Sequence, residues 1–129
     1  MTTELTVLTL ASLVQALQFL AYSIMANLQV GTETAMGPRD TKIELAGVAG
    51  RLQRALNNHF EGLILFTIAT LVITLSDQSS SFTQTCAWTY LVARVLYVPA
   101  YAFGLSPWRS LIWAVGFIAT LAMLVSATL

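Results

Sequence analysis

Four apolar stretches, each long enough to cross a lipid bilayer as a helix, take up most of this chain of 129 residues. The hydrocarbon core of a bilayer is about 30 Å thick, and about 20 helical residues span it. The stretches run from about Leu5 to Leu28, Leu45 to Leu75, Thr83 to Phe103 and Trp108 to Thr128. Inside lipid every backbone N–H and C=O must find a partner within the protein, so only helices and closed β-barrels span it. Barrel strands are short and alternate apolar with polar residues; these runs are too long and do not alternate. The sequence therefore predicts an all-α fold: one integral membrane four-helix bundle, a single domain over residues 1–129. Composition agrees, with 57% hydrophobic and 9% charged residues, against about 25% charged in soluble domains.

The few charges are sorted along the chain. Arg39, Lys42, Arg51 and Arg54 occupy the first connection and the start of the second helix. Arg94 lies in the second half of the third helix, and Arg109 starts the fourth. The second connection, Asp77 to Ser81, and the segment before the first helix hold no Lys or Arg. By the positive-inside rule, the first and third connections face the cytoplasm, while both termini and the second connection lie outside. The N-terminus lacks a basic n-region and a small-residue cleavage site, so it is not read as a removed signal peptide. Zero net charge gives nucleic acid nothing to bind. The single cysteine, Cys86, precludes an intramolecular disulfide and reads as an inert thiol near the outer end of the third helix.

Turn chemistry places the connections. Gly31 and Gly37-Pro38 punctuate the first, and Asp40 or Thr41 suits the cap of the helix that follows. Gly104 suits a helix C-terminus, Ser106 an N-cap and Pro107 the first helical position of helix four. Pro99 falls inside helix three and is expected to kink it.

Against this background one polar stripe stands out. Arg51, Arg54, Asn58 and Glu61 recur at spacings of three, four and three, which places them within about 80° of one another on a helix. A charged residue at the centre of a membrane helix costs on the order of 3 kcal/mol on insertion scales, so the stripe is expected to face protein or water. Glu61 lies deep, and Asn58 stands where it can bridge Arg54 and Glu61. Arg94, Tyr97 and Tyr101 form a second stripe on helix three, and Arg109 follows on the same side of the membrane. Arginine recognises carboxylates bidentately, so the cluster fits a small, multiply charged, carboxylate-bearing ligand. Arg51 and Arg54 also suit headgroup-level anchors, and Tyr97 and Tyr101 an aromatic belt. Trp88, Trp108 and Trp113 fit membrane-interface positions. His59 has no second His or Cys nearby and reads as a packed side chain; no metal site is expected.

The segment Arg51-x-x-Arg54-Ala55-x-x-Asn58-x-x-Glu61 resembles the helix-two signature of the MAPEG superfamily, the membrane-associated proteins in eicosanoid and glutathione metabolism. Ala93-Arg94-Val95-Leu96-Tyr97-x-x-x-Tyr101, followed by Arg109, resembles the same family's third helix and the start of its fourth. The resemblance extends over nearly the whole chain. It implies a homotrimer of four-helix subunits that binds glutathione as cosubstrate between neighbouring subunits near the cytoplasmic side. Carried over, Arg51, Arg54, Asn58, Glu61, Tyr97 and Tyr101 become glutathione-binding residues. Arg109 becomes the arginine that stabilises the thiolate, with Arg94 the alternative. The chain departs from the pattern at Gly62, where conjugating members often carry tyrosine, at Leu56, where some carry a polar residue, and at Phe103, where the leukotriene enzyme carries a base.

The expected function is a glutathione-dependent transferase or peroxidase acting on lipophilic electrophiles from the membrane, in a bacterial-type member placed in the inner membrane. Two alternatives belong to other classes. One is a non-catalytic scaffold or lipid-binding relative; the other is a small proton-coupled transporter using Glu61, although arginines around that acid would hold it ionised. On helix one, Gln15, Gln18 and Asn27 are the polar candidates for the interior.

Overall fold

Thr2 starts the first helix by accepting the Leu5 N–H on its hydroxyl at 3.3 Å, which satisfies one of the donors a helix N-terminus leaves open. In the computed structural model, which describes residues 1–31, 47–105 and 107–129, this helix, α1, covers Thr3–Val30. Helix α2 covers Gly47–Leu75, α3 Ser81–Ala102 and α4 Trp108–Thr128. The four apolar stretches thus become four helices, with ends within about two residues of those expected.

The connections follow local rules. Helix α2 ends in a Schellman turn: the Gln78 N–H donates to the Ile73 carbonyl at 3.0 Å and the Asp77 N–H to the Thr74 carbonyl at 3.3 Å. Asp77 occupies the left-handed position at φ 56°, which glycine usually fills. Ser80 and Thr83 then form a capping box that opens α3. The other end of α3 repeats the Schellman pattern, with the Leu105 N–H donating to the Ala100 carbonyl at 2.8 Å and Gly104 at φ 66°. Gly104 thus ends the helix as its position suggested. Helix α3 runs through Pro99 without a break. Pro107 stands one residue outside α4 rather than at its first position; its carbonyl accepts the Ser110 and Leu111 N–H groups at 3.0 and 3.2 Å, as an N-cap carbonyl does. The caps expected at Asp40, Thr41 and Ser106, and the Gly37-Pro38 turn, lie outside the described residues.

Helices α2 and α3 form the central diagonal of the bundle. Each packs against α1 and α4, whereas α1 and α4 make no contact with each other among the described residues. The core combines Val7 and Ala11 of α1, Phe66, Ala69 and Ile73 of α2, Ala87 and Tyr90 of α3, and Ala119 and Met123 of α4. Small residues at the crossings let the backbones approach, as membrane helices require when lipid supplies no hydrophobic drive for association. Large apolar side chains, including Leu17, Leu20, Ile24, Leu96, Ile118 and Val125, point outward. Buried polar groups and exposed Leu, Ile and Val reverse the pattern of a soluble domain. Helices α1, α2 and α4 are long and apolar enough to cross a membrane. Helix α3, at 22 residues, has the length, but Gln84, Thr89 and Arg94 lower its hydropathy; it buries Thr83 and Arg94 against its neighbours.

Candidate functional site

The spacing of Arg94, Tyr97 and Tyr101 puts all three on one face of α3, and that face builds the site. The Arg94 guanidinium lies 4.5 Å from the Tyr97 ring centroid. The Tyr97 and Tyr101 rings stand 5.5 Å apart at 55°, and the Arg109 guanidinium lies 4.7 Å from the Tyr101 ring on the far side. The result is a ladder of arginine, tyrosine, tyrosine and arginine, in which ring faces meet cations in cation–π contact. Helix α2 adds Arg54, whose Nε donates to the Tyr101 hydroxyl at 3.2 Å, and Asn58, whose Oδ1 accepts from Arg94 Nη1 at 3.0 Å.

Beside the ladder lies a cleft of about 460 Å³, lined by Asn58, Tyr97, Tyr101, Arg109, Ser110 and Trp113. Ser110 and Trp113 were not singled out as site residues. They sit one and four residues after Arg109, and the spacing of four is a same-face signal on a helix; Trp113 reads instead as an interface residue because tryptophan is common there.

The stripe on α2 divides. Asn58 turns inward to Arg94 rather than bridging Arg54 and Glu61. Arg51 lies at the C-terminus of α3, where its Nη1 reaches the Ala102 carbonyl at 3.4 Å and its guanidinium passes close to Gly104. A cation there complements the open carbonyls and negative pole of a helix end. Glu61 is exposed on the outer surface of the subunit and makes no hydrogen bond or ion pair among the described residues. Arg51, Arg54 and Glu61 are therefore outside the cleft lining, with Arg54 tied to it through Tyr101.

Two further polar contacts involve α1. Gln18 Nε2 and His59 Nδ1 are 2.7 Å apart in the α1–α2 interface, so His59 is a packed, hydrogen-bonded core residue. Gln15 and Asn27 of α1 are half-buried. At the opposite end of the bundle Glu4 is fully buried, and its Oε1 accepts from Thr83 Oγ1 at 2.7 Å and from Ser79 Oγ at 2.9 Å. Glu4 belongs with the interior residues of α1, although its place in the first turn reads as a simple complement to the helix dipole. Cys86 is buried. Among the described residues, no three His, Cys, Asp or Glu side chains gather as a metal site would require.

A sequence model of the MAPEG family matches residues 7–129. The chain belongs to the MAPEG family. Comparison with curated proteins and with solved structures returns no match. MAPEG membership, together with three helices able to cross a bilayer, makes this an integral membrane protein. The family includes glutathione transferases and peroxidases alongside other members, and its members generally use glutathione.

Proposed function

We propose that this MAPEG protein is a glutathione-dependent transferase or peroxidase acting on lipophilic electrophiles. The observation that carries the reading is the cleft itself: an open space walled by Arg109, two tyrosines and Trp113, in which no carboxylate among the described residues neutralises the arginine. The donor set suits glutathione, which carries two carboxylates, an ammonium and a thiol. Arg109 and Arg54 suit the carboxylates or the sulfur, the free amide N–H groups of Asn58 suit a carbonyl, and Glu61 suits the ammonium. When bound, glutathione supplies the nucleophilic sulfur. Arg109 favours its thiolate form over the thiol, whose unperturbed pKa is about 8.5. Tyr101, held between Arg54 and Arg109, keeps the guanidinium in place. Trp113 and the neighbouring Ala114 offer an apolar wall to an electrophile arriving from lipid.

Glu61 supports a homotrimer in this reading. An ionised side chain on a lipid-facing surface is expensive, and a neighbouring subunit covering that face would remove the cost and bring Glu61 to a site shared between subunits. In the same reading this end faces the cytoplasm, which the positive-inside rule supports, and the membrane is a bacterial inner membrane.

Calorimetry in detergent is the direct test. Saturable glutathione binding is expected, with conjugation of an aryl halide or reduction of a lipid hydroperoxide. Absence of binding at millimolar ligand would instead favour a scaffold or lipid-binding protein. Proton-coupled flux in proteoliposomes, lost in Glu61→Gln, would favour a transporter.

A further inference from the structure

A second, smaller space adjoins the cleft and shares Trp113 with it. Gly62 of α2 and Gly116 of α4 both face α3, Gly62 toward Tyr90 and Gly116 toward Ala93, Arg94 and Tyr90. A cavity of about 20 Å³ remains, lined by Gly62, Tyr90, Arg94, Trp113, Gly116 and Thr120. The two glycines keep it open. A methyl group at 62 would stand 3.5 Å from the Tyr90 hydroxyl, and one at 116 would stand 3.4 Å from Ala93 Cβ and 3.8 Å from Arg94 Cδ.

Two of the polar groups around this cavity, the Arg94 guanidinium and the Tyr90 hydroxyl, have donors to spare. Arg94 is only 3% exposed. Its Nη1 is used by Asn58, but Nε and Nη2 have no partner, and neither does the Tyr90 hydroxyl. The Thr120 hydroxyl donates to the Gly116 carbonyl at 3.0 Å and has no proton to spare. Among the described residues no carboxylate reaches any nitrogen of the guanidinium. A buried charge without a counter-charge is among the costliest arrangements in a protein, and the Tyr97 ring face compensates only in part. The space is small, on the scale of a single water, which needs about 10–15 Å³.

We propose that this cavity is the seat of one single-atom anion, held by Arg94 Nε and Nη2 and by the Tyr90 hydroxyl. The anion is a free halide, and the proposal is independent of the glutathione reading above. Tyr90 is fixed for the task by its stack on Phe66, with ring centroids 4.1 Å apart and planes at 7°.

Trp113 lines the cavity and can report on it. In Trp88→Phe/Trp108→Phe protein, titration with bromide at constant ionic strength should quench Trp113 with a saturating curve, because bromide is a heavy-atom quencher. Tyr90→Phe keeps the ring stack and should weaken binding several-fold. Arg94→Gln should turn the curve into a linear, collisional one. A linear curve in the parent, or a saturating midpoint unchanged in both variants, would overturn the proposal. Should calorimetry detect no glutathione binding, the glutathione reading fails while a saturating bromide curve still establishes the seat.

Discussion

At one end of the bundle Glu4 is fully buried and receives hydroxyl donors from Ser79 and Thr83, the second of which is held by its own capping box with Ser80. At the other end Arg94 is almost as deeply buried, yet two of its three nitrogens have no partner and the space beside it is open. Both ends bury a charge-bearing group where lipid surrounds the protein. The Glu4 end satisfies its carboxyl from within, through two hydroxyl donors. The Arg94 end concentrates Arg51, Arg54, Arg94 and Arg109, spends some of their hydrogen-bonding capacity on Ala102, Tyr101 and Asn58, and leaves the remainder unmatched. A folding core satisfies its polar groups; an incomplete network of buried donors beside a cleft is the physical mark of a binding site.

That contrast can be broken most sharply at Arg109. Arg109→Ala should lower the rate of thiol conjugation by about 10²- to 10³-fold, the loss typical of removing one preorganised electrostatic stabiliser, while thermal stability stays near wild type; turnover like wild type would remove Arg109 from the chemistry. At the closed end the effects should reverse. Thr83→Val strips one donor from the buried Glu4 carboxyl and should cost about 2 kcal/mol of stability, read as a lower melting temperature in detergent, with ligand binding at the far end unchanged. Smaller effects are expected at the two helix ends. Gly104→Ala forces a side chain into a left-handed conformation at φ 66° and should cost about 1 kcal/mol; because Gly104 lies against the Arg51 guanidinium, it should also disturb the cleft end. Asp77→Gly relieves the same conformation at the closed end and should stabilise by about 0.5 kcal/mol without altering binding.

Much of this was legible in the residues. Hydropathy and length located the helices, because the need to satisfy the backbone in lipid acts on each segment separately. Gly104 could be read as a helix terminus because the left-handed position it fills is a local demand. The spacing of Arg94, Tyr97 and Tyr101 gave their common face. The reading failed where rotation of one helix against another decides the outcome. Arg51, Arg54, Asn58 and Glu61 share an arc of α2, yet the structure sends Asn58 to Arg94, Arg51 to the end of α3, Arg54 to Tyr101 and Glu61 to the outer surface. Glu4 was passed over for the same reason: its donors lie 75 and 79 residues away, a distance no local pattern encodes.

The sequence by itself determined four membrane-length helices, the helix end at Gly104, and the gathering of guanidiniums at one end, because these follow from hydropathy, capping chemistry and the cost of charge in lipid. Only the tertiary structure decided which arginine is buried without a counter-charge, which glycines open a space beside it, and which carboxyl is sealed away at the far end. Those outcomes depend on the azimuth at which each helix meets its neighbours, and that angle is set by the whole packed bundle at once.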